Sequence, residues 1–181
     1  MDFEITILRL GHRPSRDKRI TTHCGLVARA LGAREMVICG EEDDELVGRL
    51  NALSKKWGGK FSASYCDNWK KYLRNFKGVK VHLTMYGEDF RKIAKKLGTT
   101  AKKSGKNKLV LVVGAGKVPP DAYQLSDYNV AVGNQPHSEV AAIALFLYEL
   151  GKRKLDADFS KAVVRIIPTA KGKRVADARK D

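Results

Sequence analysis

Two stretches of this chain hold residues whose type and spacing could do chemistry. The first, RLGHRPSRDKRITTH over residues 9–23, gathers Arg9, His12, Arg13, Arg16, Lys18 and Arg19 where an apolar run ends. Asp17 is the only acid among them. A guanidinium presents a planar fork of donors that fits phosphate oxygens in pairs, so a cluster with so few local acids points to phosphate binding more than to a solvated face. The second stretch spans residues 109–145, where two apolar runs each end in a glycine turn, at Gly114 and Gly116 and again at Gly133. Glycine lets backbone amides approach a ligand closely, and Pro136 marks the first turn of a helix whose free N–H groups favour an anion. Asn134, Ser138 and Glu139 supply capping groups for that helix start.

The familiar nucleotide fingerprints fail in this second stretch. Gly114-x-Gly116 lacks a third glycine, Pro119 and Pro120 interrupt where the helix should begin, and Asn134 stands where an acid would follow. GAGKV has Lys117 but neither the four-residue spacing nor the hydroxyl of a phosphate loop. The glycine turns are therefore either a ligand site of another kind or ordinary connections. A third stretch, VKVHLTMYGEDF over residues 79–90, ends an apolar run at Leu83 and Thr84 and turns at Gly87. His82 within it reads as a core histidine rather than a catalyst.

The elements that must position these residues alternate between apolar runs and helix-period segments, which predicts an α/β fold with a largely parallel sheet. Strands are expected at Glu4–Leu10, Met36–Cys39, Phe61–Tyr65, Val79–Thr84, Leu109–Val113, Asn129–Val132 and Val163–Ile167. Helices are expected at Thr21–Leu31, Asp43–Trp57, Trp69–Phe76, Asp89–Leu97 and Ser138–Leu150, with Gly98–Lys108 an exposed loop. The Ser138–Leu150 helix is apolar almost all round, so it needs cover on two sides. That cover is either a second copy of the chain, making a homodimer, or the protein's own interior. No repeat or linker divides the chain.

The 181 residues carry a formal net charge of +15, unevenly distributed. Segments 9–34, 55–80, 91–108 and 151–181 carry +6, +7, +8 and +6, whereas 35–54 and 109–150 carry −5 and −3. A basic frame around a slightly acidic island fits an extended phosphate-bearing partner outside and a different ligand within. No apolar run reaches the roughly 20 residues of a membrane helix. Met1 leads directly into Asp2, so no signal peptide is expected, and the location expected is cytoplasmic. Cys24, Cys39 and Cys66 form no CxxC pair and read as small buried residues in a reducing compartment, with no structural zinc.

Taken together, HRPSRDKRITTH, VHLTMYGE, VGAGKVP and YNVAVGNQPHSEVAA resemble the archaeal tRNA cytidine-56 2′-O-methyltransferases, a branch of the SPOUT superfamily of knotted methyltransferases. The likeness runs from about Arg9 to Leu150 and weakens after Gly151. It implies one SPOUT domain over residues 1–181, its basic tail covering about 151–181, with a mostly parallel sheet flanked by helices and a deep trefoil knot near the C-terminal part. It further implies a homodimer without metal or membrane, acting on tRNA, with S-adenosylmethionine (SAM) bound in a bent form by the knot loops. Carried over by motif, the cofactor residues are Leu83; Gly114, Ala115, Gly116, Lys117 and Val118; and Val130, Ala131, Val132, Gly133, Asn134, Gln135, Pro136 and His137.

The implied reaction moves the SAM methyl group to the 2′-oxygen of a cytidine in the tRNA T-loop. Related SPOUT ribose methyltransferases place an arginine of their first motif near that oxygen. Aligned on Ala30-Leu31-Gly32-Ala33, that position falls near Leu26 here, so the arginine does not carry over. The catalytic candidates are instead Arg16 and Arg19, to orient ribose and phosphate, and His23, as proton acceptor. The alternative function is a non-catalytic basic RNA-binding module.

Overall fold

β1 (Glu4–His12) buries every residue from Ile5 to Leu10, as a strand covered on both faces must. It lies between β2 (Glu35–Gly40) and β5 (Lys108–Gly114), both parallel to it. β3 (Ser62–Tyr65), β4 (Val79–Asp89) and β6 (Tyr128–Ala131) complete a six-stranded parallel sheet in the order β3-β2-β1-β5-β4-β6. The computed structural model describes residues 3–104, 107–153, 155, 157–159 and 161–177, and the statements here concern those. Expectations that touch residues 1–2, 105–106, 154, 156, 160 and 178–181 lie outside them.

Helices cover both faces of the sheet. Ile5 and Ile7 share a core with Cys24, Leu46, Leu97 and Phe146, contributed by α1 (Pro14–Ala30), α2 (Asp44–Trp57), α4 (Phe90–Ser104) and α6 (Glu139–Leu150). Leu8 and Leu10, pointing the other way, pack with Leu73 and Ala122 from α3 (Trp69–Asn75) and α5 (Pro120–Leu125). α6 packs between α1 and α4 through Ala142, Ile143, Phe146 and Leu147. Its outer residues Leu145 and Tyr148 remain 48% and 39% exposed, so the protein's own interior covers this apolar helix on most but not all sides.

Several boundaries differ from the sequence expectation for identifiable reasons. α1 begins at Pro14, seven residues before Thr21, because proline suits a first helical turn and Asp17 accepts the Arg13 amide at 3.1 Å. Its first two turns bury only Asp17 and Thr21, so they show no apolar period. α4 runs on to Ser104 through the polar stretch expected to be a loop, extending a helix already anchored by Ile93, Ala94 and Leu97. α5 starts at Pro120, where the two prolines read as an interruption. Val164–Ile167 lies outside the parallel sheet as β7, antiparallel to an unanticipated β8 (Arg174–Asp177), and is tied to the end of α2 by Val163 N–H donating to the Lys56 carbonyl.

The largest correction concerns the cysteines. Cys39 and Cys66 form a disulfide across a sequence separation of 27. The β2–β3 register, which pairs Ile38 with Tyr65, brings the two following residues side by side, and no sequence spacing announces that. A bridged pair removes the basis for expecting a reducing compartment. Cys24 stays free, and burial pushes its thiol up to about 12. Closing a loop of this length should contribute about 3 kcal/mol. Urea unfolding with and without reductant, or of Cys66→Ser, is expected to show that loss, while Cys24 in the native protein stays unreactive toward thiol reagents.

Candidate functional site

The C-terminal ends of β4, β5 and β6 converge on a pocket of about 570 Å³. Its first wall arises because β4 leaves the sheet after Leu83 and rejoins it at Glu88, with both residues registered on Val130. Thr84 to Gly87 loop out between them. A Cβ at Gly87 would collide with the backbone of Asn129 and Val130, so the excursion needs glycine there. The second wall is the turn from Gly114 to Val118, and the third is the segment from Val132 to His137.

These walls are fastened to one another by named groups. Asn134 Nδ2 donates to the carbonyls of Met85 (2.8 Å) and Gly87 (3.3 Å), tying the third wall to the first. His137 Nε2 donates to the Val132 carbonyl at 2.5 Å and closes the third turn on itself. Arg9, completely buried in β1, donates Nη1 to the Gly114 carbonyl (2.7 Å) and Nη2 to Glu139 Oε1 (2.6 Å). The second wall and the start of α6 thus share one guanidinium. Arg9 is therefore an internal clamp and not one of the exposed phosphate-binding arginines that the basic run led us to expect. Beneath the pocket, buried His82 donates Nδ1–H to Asn129 Oδ1 (2.9 Å), Asn129 donates to the Tyr123 carbonyl, and the Tyr123 hydroxyl meets Thr84 Oγ1 at 3.0 Å. Burial holds His82 below the ordinary histidine range despite the Asn129 hydrogen bond.

Of the residues carried over by motif, Leu83, Gly114, Ala115, Gly116, Lys117, Val118, Val130, Val132, Gln135, Pro136 and His137 line this pocket. Ala131 is buried in β6, Gly133 makes the turn with φ of 74°, and Asn134 acts as the fastening described above, so these three shape the pocket without lining it. Sequence reading missed Thr84, Met85, Tyr86, Tyr123 and Ala142 as lining residues. It took Glu139 only as a helix cap. The available signal was the single carboxylate opening an otherwise apolar helix, opposite an arginine in an apolar strand.

The start of α1 stands beside this pocket. Arg16 donates Nε and Nη2 to the buried Asp17 carboxylate (2.5 and 2.7 Å), and Nη2 also donates to the Ala115 carbonyl at 2.7 Å. The Arg16 side chain is still 47% exposed, and the Asp17 hydrogen bond raises its pKa further, so it is a fixed cation at the pocket edge. Lys18 turns away to Glu45. Arg19 and His23 are exposed farther along the helix and line none of the cavities found. A second cavity of about 580 Å³ adjoins the first across Gly116, Lys117 and Val118, and is also lined by His12, Arg13, Arg16, Glu41 and Trp69. His12 is buried, shares a hydrogen bond with Thr21 Oγ1 (3.0 Å), and is held below the ordinary histidine range mainly by burial. Among the described residues no group of three His, Cys, Asp or Glu is placed to hold a metal ion.

A parallel sheet whose C-terminal edge forms a three-walled pocket places the chain among the SpoU/TrmH methyltransferase folds. The SpoU methyltransferase AviRb from Streptomyces viridochromogenes, solved with AdoMet, superposes with a TM-score of 0.57 at 15% identity, over 87% of this chain and 60% of that one. The A. aeolicus TrmH/SpoU tRNA modifying enzyme superposes with a TM-score of 0.56 at 14% identity, over 83% of this chain and 75% of that one. The family model for tRNA ribose 2′-O-methyltransferase, aTrm56, matches residues 57–176. The tRNA (cytidine(56)-2′-O)-methyltransferase of Pyrococcus horikoshii is 47% identical over 97% of this chain and 86% of its own length. That of Methanothrix thermoacetophila is 51% identical over 96% and 97%. The chain belongs to the aTrm56 family of tRNA ribose 2′-O-methyltransferases.

Two outcomes follow from this geometry. Arg9→Met should strand Glu139 and release the second wall, lowering stability by about 3 kcal/mol in chemical denaturation. His12 and His82 are depressed in the folded state, so their neutral forms contribute stability that is complete above about pH 6.5 and is lost as pH falls through their lower folded values. Melting temperature is expected to decline below pH 6.5, with a shallower decline for His82→Gln.

Proposed function

We infer that this protein transfers the methyl group of SAM to the 2′-oxygen of cytidine 56 in tRNA. The observation that carries this reading is the pocket of three fastened turns, in a chain that belongs to a family of tRNA ribose 2′-O-methyltransferases. The residues fit the cofactor. Val113, Val130, Val132 and Ala142 supply apolar surface for an adenine ring, and the turns at 114–118 and 132–137 supply backbone polar groups for its edge and ribose. When bound, SAM supplies the electrophilic methyl group for an in-line displacement by the ribose oxygen.

The chain's own residues then have to align the hydroxyl and stabilise charge developing on its oxygen. We assign that role to Arg16, which lines the second cavity and whose guanidinium is held between Asp17 and the carbonyl of Ala115, a residue that lines the first. An arginine remains protonated at any working pH, so Arg16 orients and stabilises without acting as base. Arg19 and His23, exposed on the same helix, are assigned to the arriving RNA, where Arg19 faces phosphate. A purely RNA-binding role would leave the fastened pocket without use.

A deep trefoil knot in the C-terminal part is proposed from the family alone. A homodimer is proposed through the outer stripe of α6, where Leu145 and Tyr148 are exposed one helical turn apart. Leu145→Glu should shift sedimentation from two copies to one. Among the described residues no helix is long and apolar enough to cross a membrane, and a cytoplasmic location with the tRNA substrate is part of the proposal.

Labelled SAM and unmodified tRNA transcript test the activity. Methyl incorporation is expected, and a 2′-deoxycytidine at the target should abolish it. Arg16→Ala should lower kcat on the order of 100-fold while leaving SAM affinity within about twofold; equal loss of both would move Arg16 from the reaction to cofactor binding.

A further inference from the structure

The second cavity lies where the strand order reverses, between β1 and β5, at the carboxyl ends of the strands. Open α/β sheets bind ligands in that crevice. It shares Gly116, Lys117 and Val118 with the cofactor pocket, so a molecule seated there contacts the same turn from the other side. Its lining is chemically mixed in a way that a phosphate site alone does not need. Arg13, Arg16 and Lys117 are cationic, but Glu41 brings a carboxylate and Trp69 an indole.

Both of these residues are held by structure rather than left on a free loop. Trp69 opens α3 directly after Asn68, whose side chain accepts the Lys71 amide at 2.9 Å, and it packs on the core that contains Cys39 and Leu73. The Glu41 amide donates to the His12 carbonyl at 2.9 Å. The Cys39–Cys66 disulfide ties the residue two before Glu41 to the residue three before Trp69, which limits how far the two can separate.

We propose that this cavity receives the base of the target cytidine, with Glu41 accepting the exocyclic amino group and Trp69 covering the ring face. The proposal rests on the methyltransferase reading and deepens it. Cytosine presents an amino donor where uracil presents a carbonyl oxygen, so a carboxylate accepts from the first and repels the second. Arg13, whose side chain is 49% exposed, supplies donors for the adjacent acceptor edge of cytosine. The indole face stacks on a base that has left its own stack, as sequence-specific reading of RNA requires. Arg16 then stands between base and cofactor pockets, at the place the ribose must occupy.

The test compares tRNA transcripts carrying cytidine or uridine at the target position. Wild type should favour cytidine at least about tenfold in kcat/KM, and Glu41→Gln should reduce that preference by about tenfold without changing the Kd for SAM. Trp69→Ala should raise the KM for tRNA about tenfold, and Trp69→Phe should recover most of it. If Glu41→Gln keeps the wild-type preference for cytidine, or Trp69→Ala leaves KM unchanged, the base assignment is overturned. If wild type itself methylates neither transcript, the methyltransferase reading fails instead, and the two failures are distinct.

Discussion

A buried guanidinium cannot be left without partners, and the site depends on how Arg9 meets that requirement. Its strand is the centre of the sheet and its side chain is sealed from solvent. Isolated, such a charge would cost several kcal/mol of lost hydration. Among the described residues two oxygens relieve it, the Gly114 carbonyl of the second wall and the Glu139 carboxylate at the start of α6, while Nε has no partner. Satisfying the charge and assembling the pocket are therefore the same event. Asp17 repeats the logic at smaller scale, since its buried carboxylate holds Arg16 and the Arg13 amide together at the start of α1.

The sheet was readable in the sequence because burial on both faces writes continuous apolar runs such as LVLVV at 109–113 and ITIL at 5–8. The glycine turns were readable as possible ligand turns, and the structure gathers them around one pocket. What was not readable depends on pairing between distant segments. Arg9 belonged to a run of exposed arginines, and only the approach of α6 makes it a clamp. Cys39 and Cys66 met through strand register, not through spacing. The first two turns of α1 escaped notice because a helix held by one buried carboxylate and a proline shows no apolar period. β8 lacks a continuous apolar run and is a strand only because β7 is beside it.

Charge and chemistry are separated along the fold. The second and third walls come from the segment that carries −3, while α1, in one of the most basic segments, stands beside the pocket. A polyanion is thus drawn to the rim at α1 rather than to the pocket floor. Lys117 lines both cavities, and Arg16, which lines the second, reaches the first through the Ala115 carbonyl.

The interruption of β4 fixes more than a pocket wall. The strand departs from Val130 and returns to Val130, so the ends of the excursion are set by the sheet whatever happens between them. The four residues between are pinned as well, since Asn134 holds the Met85 and Gly87 carbonyls and Gly87 has no room for a Cβ. The rim over the pocket is thus a span of fixed length, in which an inserted residue finds no place without releasing the third wall.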